Sequence, residues 1–269
     1  MLRHLDLFSG IGGFTLAAKQ LGGIQTTQFV EIDSDAQTVL RSHFPGVPIH
    51  SDIRDYQPEP GAFDLITMGF PCTGTSNAGS RTGLKHPASS LWREGLRCLI
   101  EAQPRFCIIE QPEGVIRRGL RAILGGLSLA GYSTEIEYVS AAKLGAGHQR
   151  LRLFIISYPN EWADLYQNAP CWSDQMREMV QRQRLSSQWL TVRDLRDRVN
   201  NGLSVRLVRG LNEAILEECH YTEPSKSPGR IRARYLAGRT VTPGQAAIAL
   251  RRVLYLNALS DKTTTQKAI

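Results

Sequence analysis

The sequence contains no uninterrupted apolar run approaching about 20 residues, the length a membrane span needs, so a membrane protein is not expected. The opening Met1-Leu2-Arg3-His4-Leu5-Asp6 has no long apolar stretch after its basic residue and does not read as a secretory leader, which makes the cytoplasm the expected location. No Cys-x-x-Cys pair occurs among the five cysteines, and this excludes the common zinc and redox spacings. An odd, scattered set of thiols builds no disulfide framework. Cys98, Cys107, Cys171 and Cys219 read as small buried or half-buried apolar residues. Internal repeats are absent as well.

What is present is 269 residues with 42% hydrophobic composition, enough for one large α/β domain and a smaller appendage around a substantial core. The formal charge of +7 is localised. Residues 177–252 hold fourteen Arg and one Lys against seven acids, a balance of +8, and the remainder sums to −1. Such a segment suits a phosphate-backbone contact surface, although a solvated helix face with paired charges has the same composition.

Along residues 1–158, short apolar runs alternate with amphipathic stretches. Strands are predicted at 5–8, 27–32, 63–70, 106–110 and 151–157, and helices at 15–21, 36–44, 90–102 and 120–130. Repetition of strand and helix specifies a doubly wound, mostly parallel sheet covered on both faces. In such sheets ligands bind beyond the carboxyl ends of the strands. The pattern fades after Pro159, where Trp162, Trp172 and Trp189 stand among polar and basic residues, and returns at 246–259. The expected division is a main domain of residues 1–158 plus 236–259, a small inserted domain of 159–235, and a fraying polar tail of 260–269.

The candidate site residues lie at or near strand ends. After the first comes Asp6-Leu7-Phe8-Ser9-Gly10-Ile11-Gly12-Gly13, a turn whose glycines let the backbone approach a nucleotide-like ligand at a helix start. The second ends in Glu31-Ile32-Asp33, with a carboxylate placed to accept both hydroxyls of a ribose, and Asp52 after the third is placed to accept from an adenine amino group. Ordinary helix capping is the competing role for both acids. The fourth strand runs into Gly69-Phe70-Pro71-Cys72-Thr73-Gly74, which presents one cysteine at the cofactor edge, and the fifth delivers Glu110. Arg150-Leu151-Arg152 sets two guanidinium groups on one strand face.

Taken together these segments resemble the cytosine-5 DNA methyltransferase family, over residues 3–158 and more weakly over 236–256. The resemblance implies a Rossmann-like methyltransferase domain with a smaller target-recognition domain. S-adenosylmethionine is the implied cofactor, in a pocket of Phe8, Ser9, Gly10, Gly12 and Gly13 from the turn, with Glu31, Ile32, Asp52, Ile53 and Pro71. It further implies that Cys72 adds covalently to carbon 6 of a flipped-out cytosine, that Glu110 contacts ring nitrogen 3 and the exocyclic amine as general acid, and that Arg152 holds oxygen 2 with Arg150 in support. Double-stranded DNA is the implied partner, read by residues 159–235, where Arg193, Arg196, Arg198, Arg206 and Arg209 are candidate contacts. A monomer suffices, and a lone modification enzyme and half of a restriction-modification system read alike.

The chain departs from the family pattern in three places. Gln111-Pro112 stands where Asn-Val is usual, His148-Gln149 stands for Gln-Asn, and Arg239 occupies the place of an asparagine. Gln111 still offers an amide for support of the cysteine loop. A tRNA cytosine-5 methyltransferase of the same fold is one alternative, and a catalytically weak cofactor- or DNA-binding protein is another.

Overall fold

A computed structural model describes residues 1–77, 79–144, 150–167, 169–185, 232, 235–236 and 238–267. The predicted Trp189 and the five candidate DNA-contacting arginines lie outside the described residues, as do Cys219, His148 and Gln149. No helix among the described residues is long and apolar enough to cross a membrane.

Seven strands form one sheet: β1 (Leu2–Leu7), β2 (Ile24–Val30), β3 (Ile49–His50), β4 (Leu65–Met68), β5 (Phe106–Pro112), β6 (Tyr132–Ser140) and β7 (Leu151–Pro159). Their spatial order is β3-β2-β1-β4-β5-β7-β6. The pairings among β1 to β5 are parallel, whereas β7 runs antiparallel to both neighbours. Chain order reverses between β1 and β4, so a crevice opens there beyond the strand ends. Two strands lie outside the apolar runs read from the sequence, although a third strand is already expected ahead of Asp52. β3 is two residues long, and β6 (Tyr-Ser-Thr-Glu-Ile-Glu-Tyr-Val-Ser) is an edge strand of mostly half-buried residues, with too little apolar alternation to register.

Helices α1 (Gly13–Leu21), α2 (Ser34–His43), α3 (Trp92–Ala102), α4 (Val115–Arg118) and α5 (Leu120–Leu129) follow the strands, then α6 (Ala163–Tyr166), α7 (Trp172–Leu185) and a long C-terminal α8 (Pro243–Lys267). One core joins Phe14, Ala17 and Ala18 of α1 to Phe154 and Ile156 of β7 and to Ile248, Leu250 and Val253 of α8. A second packs Cys98, Leu99, Ile123 and Leu127 against Leu7, Ile66 and Ile109. The C-terminal stretch thus returns to the main domain. Arg252, buried in α8, donates from Nε and Nη2 to both oxygens of Glu135 at 2.8 Å and from Nη1 to Pro170 O and Gln175 Oε1. A charge taken out of water needs such full pairing.

Three expectations are corrected by this packing. The boundary at residue 158 does not interrupt the first core, because Tyr166 and Trp172 are buried in it. The tail does not begin at Ser260: α8 runs on to Lys267, and Ser260 is buried and accepts a hydrogen bond from Arg105 Nη2 at 3.0 Å. Cys98 and Cys107 are buried as expected, but Cys171 is exposed in the turn before α7.

Beneath the glycine turn lies a closed ring of polar side chains on β1, α1, β2 and β4. His4 Nδ1 and Nε2 are each 2.7 Å from a hydroxyl, those of Thr26 and Thr67. Thr67 and Thr15 donate to the two oxygens of Asp6 at 2.9 and 2.8 Å, and Thr26 lies 3.1 Å from Thr15. His4, Asp6, Thr15 and Thr67 are buried. Burial pushes the Asp6 carboxyl up to about 7 and the His4 imidazole down to about 3.

Candidate active site

The carboxyl ends of β1, β2, β4 and β5 open on one edge of the sheet. β7 runs the opposite way and brings its first residues there, with Arg152 paired to Pro112 in the ladder. A single cavity of about 460 Å³ at this edge is lined by Phe8, Gly10, Glu31, Ile32, Asp52, Ile53, Pro71, Cys72, Glu110, Arg150 and Arg152. Of the fourteen candidate residues only Ser9, Gly12 and Gly13 stay outside the lining.

Those three hold the turn. Ser9 is buried, and its hydroxyl donates to Asp6 O at 2.5 Å. Gly12 caps α1 at φ 83°, and a Cβ there would sit 2.5 Å from the Phe44 ring. At Gly13 a Cβ would sit 2.3 Å from Val241 O and 2.8 Å from Thr240 Cγ2. These two glycines therefore admit neighbouring protein, α2 and the approach to α8, and not a ligand. Gly13→Ala is expected to destabilise the protein by about 1–3 kcal/mol through overpacking, read as a lower urea midpoint. An unchanged midpoint would mean that residues 240–241 do not bear on the turn.

Gly10 also packs on residue 240, where a Cβ would sit 2.9 Å from Thr240 Oγ1, but it lines the cavity at φ 54° and its N–H donates to Glu31 Oε2 at 2.7 Å. Glu31 Oε1 accepts the Asp33 N–H at 2.8 Å. Each oxygen keeps a second lone pair for a ligand hydroxyl. Burial raises the Glu31 carboxyl, while the two backbone donors oppose the shift. Helix capping falls to Asp33, which accepts the N–H groups of Asp35 and Ala36. Ile32 is 66% exposed on the cavity wall, an apolar face with no protein cover. Asp52 is gripped by the Arg54 side chain and backbone N–H, and these bonds hold its carboxyl at about 2.

At the other end of the cavity Cys72 is partly exposed. Glu110 Oε1 lies 2.7 Å from Arg152 Nε in a close ion pair, yet among the described residues no donor is aligned on that buried oxygen. Burial lowers Arg150 to about 10; its Nη1 and Nη2 donate to Gly238 O and Thr240 O at 2.9 and 2.8 Å. Arg150 thereby fixes the returning C-terminal segment against the cavity, whereas Arg152 serves Glu110. Burial pushes the Cys98 thiol up to about 12 and raises Cys107 further, which disqualifies both as nucleophiles at neutral pH.

Gln111 meets the departure from Asn-Val. Fully buried on β5, its Nε2 donates to Phe70 O at 2.8 Å and its Oε1 accepts from the Thr75 hydroxyl at 3.0 Å, spanning the loop of Cys72.

Sequence reasoning missed Tyr235, Leu236 and the lining role of Arg239. The guanidinium groups of Arg232 and Arg239 each lie 4.9 Å from the centroid of the Tyr235 ring, and Arg232 also pairs with Asp33 and Asp35. No local pattern announces a contact across nearly 200 residues. The basic composition of that stretch was its one visible sign.

A glycine turn, a strand-end carboxylate, a cysteine and a carboxylate–guanidinium pair face one cavity at the carboxyl edge of a Rossmann-like sheet. The sequence model of C-5 cytosine-specific DNA methylases matches residues 2–228, and the chain belongs to that family. It is 34% identical over 164 residues to the type II methyltransferase M.CviJI of Paramecium bursaria Chlorella virus IL3A, covering 60% of this chain and 44% of that protein. With M.Bsp6I of Bacillus sp. (strain RFL6) it shares 30% over 167 residues, 60% of this chain and 53% of the relative. The chain thus aligns with about half the length of these relatives. The crystal structure of the S. pombe Dnmt2 methyltransferase has the same fold, with TM-score 0.58 and 16% identity over 95% of this chain and 99% of that one.

Proposed function

We propose that this protein transfers a methyl group from S-adenosylmethionine to carbon 5 of a cytosine in double-stranded DNA, with Cys72 as the covalent nucleophile. The observation that carries the reading is the sharing of one cavity by Cys72, the Glu110–Arg152 pair and Glu31. The donor set fits the cofactor: free lone pairs on Glu31 for ribose hydroxyls and the bare face of Ile32 for a purine.

When bound, S-adenosylmethionine supplies an electrophilic methyl group. Cytosine carbon 5 is too weak a nucleophile to take it unaided. The Cys72 sulfur adds to carbon 6, and Glu110 delivers a proton at ring nitrogen 3, so the carbon 4–carbon 5 bond gains enamine character. Carbon 5 then accepts the methyl group, a base removes the carbon 5 proton as the carbon–sulfur bond breaks, and the nitrogen 3 proton returns to Glu110, which restores the ring, the thiolate and the acid. Arg152 orients Glu110 and holds oxygen 2 of the base. A cytosine paired in a duplex cannot enter the cavity, so the base must leave the stack.

The test is incubation with duplex DNA containing 5-fluorocytosine, with and without S-adenosylmethionine. Fluorine at carbon 5 blocks the final elimination, so a denaturation-resistant, cofactor-dependent adduct at Cys72 is expected. An adduct only on fluorocytosine-containing tRNA would move the substrate to RNA. Cofactor binding with no adduct on either would leave a non-catalytic binding protein.

A further inference from the structure

Besides Gln111, two side chains from outside the cavity reach the backbone flanking Cys72. Ser89 lies in a short 3-10 turn (Ser89–Leu91) before α3 and is fully buried. Its Oγ donates to Pro71 O at 2.8 Å and accepts the Gly74 N–H at 2.9 Å. Arg118, the last residue of α4, donates from Nη1 to Thr75 O at 3.0 Å and to Asn77 Oδ1 at 2.9 Å. Between these anchors Cys72 O accepts the N–H groups of Thr75 and Ser76 at 3.0 and 2.8 Å, closing one helical turn that starts at the cysteine. There is little slack around it: a Cβ on Gly74 would sit 2.1 Å from Gly83 O, and one on Gly114 would sit 2.2 Å from Thr75 O.

We propose that Ser89 and Arg118 are positioning residues for the Cys72 nucleophile, completing with Gln111 a three-point brace that sets the thiol against the Glu110–Arg152 pair. The inference rests on the reading of Cys72 as nucleophile. A loop of Thr, Gly and Ser has no stiffness of its own, whereas attack on carbon 6 needs the reacting atoms about 3–3.5 Å apart, and a displacement of about 1 Å costs on the order of 100-fold in rate. The brace transfers to the loop the rigidity of β5, α3 and α4. Residues of all three, among them Ile109, Cys98, Leu99 and Val115, belong to one core.

Ser89→Ala, Arg118→Met and Arg118→Lys test this. The readouts are S-adenosylmethionine affinity by calorimetry, thermal melting, single-turnover methyl transfer to duplex DNA, and alkylation of Cys72 by iodoacetamide relative to exposed Cys171. Ser89→Ala and Arg118→Met are expected to slow single-turnover transfer on the order of 10- to 100-fold, with cofactor affinity within about twofold of wild type. Arg118→Lys recovers part of the loss, because an ammonium still reaches one of the two acceptors. The alkylation ratio shifts in the first two variants and returns toward wild type in the third. Unchanged transfer rates would overturn the brace, and so would a parallel fall of rate, affinity and melting temperature in every variant. A wild type that transfers no methyl group would refute the proposed function, and the alkylation ratio would still decide the brace.

Discussion

Cys72→Ser is expected to reduce methyl transfer by at least about 10⁴-fold while leaving S-adenosylmethionine affinity within about twofold. A thiol holds a few per cent of thiolate at neutral pH and is intrinsically a strong nucleophile toward an electron-poor ring carbon, whereas a serine hydroxyl is neither ionised nor comparably reactive. The fold should not respond. The bonds that shape the turn go to the Cys72 carbonyl and to neighbouring backbone atoms, all of which serine retains. Glu31 and Gly10, at the other end of the cavity, are untouched. Rapid-quench transfer assays beside calorimetry would read both quantities. Transfer within tenfold of wild type would place the nucleophile elsewhere, and the buried Cys98 and Cys107 are poor substitutes for the reason their thiols are raised.

Glu110→Gln is expected to lower the single-turnover rate by about 10²- to 10⁴-fold, the usual worth of a positioned general acid. Glutamine matches the size of the side chain and retains one carbonyl oxygen, so packing beside Gly69 survives. It cannot deliver a proton, and it leaves the Arg152 guanidinium without its anionic partner 2.7 Å away. The two losses separate experimentally. Arg152→Lys keeps a cation near Glu110 but not the planar fork, and should cost less than removal of the carboxylate. Equal rates for wild type and Glu110→Gln would assign the proton delivery to another group.

Much of this site could be read before any coordinates, and the reason is geometric. Parallel strands deliver their carboxyl ends to one edge, so Gly10, Glu31, Cys72 and Glu110, each just past or at the end of a strand, are brought together by topology alone. Arg152 obeys the opposite rule. It stands at the start of an antiparallel strand, and its spacing with Arg150 on one strand face, together with the family resemblance, made it a candidate. The glycines show where local reasoning stops: the turn was legible, but the partners of Gly12 and Gly13 are Phe44 and Val241, one of them more than 200 residues away. The same holds for Arg232 with Asp33, and for Ser89 and Arg118 around the nucleophile, since no periodicity encodes which distant side chain closes a backbone hydrogen bond. Asp52 was read for its position, and its grip by Arg54 two residues later was overlooked although it is local.

The buried ring below the glycine turn has a proton count. Three hydroxyls, one imidazole and one carboxyl supply five bonds in a closed circuit, and five hydrogens are needed to fill them. A carboxylate with a neutral imidazole supplies only four, so the filled ring carries one more proton and is electrically neutral as a whole. The shifts of both groups put that proton on Asp6, which then donates to Thr67 in place of accepting from it, and the Thr67 hydroxyl turns to donate to His4 Nε2. They also set opposing pH dependences. The His4 contribution to stability is present above its ordinary value of 6.5 and lost as pH falls toward about 3, whereas that of Asp6 is present below 3.8 and lost as pH rises through about 7. Across pH 4 to 6.5 the two slopes offset each other, with the Glu31 carboxylate also raising Asp6. Asparagine at position 6 carries a fixed donor and acceptor in place of the protonated acid, so Asp6→Asn keeps the circuit filled but removes one of the slopes. Its melting temperature should fall more steeply than that of wild type between pH 6.5 and 4, and parallel melting profiles would show that the acid at this position carries no proton. With the proton on Asp6, the support of the glycine turn is a neutral proton circuit, indifferent to acidity between about pH 4 and 6.5 because one member accepts the proton that the other refuses.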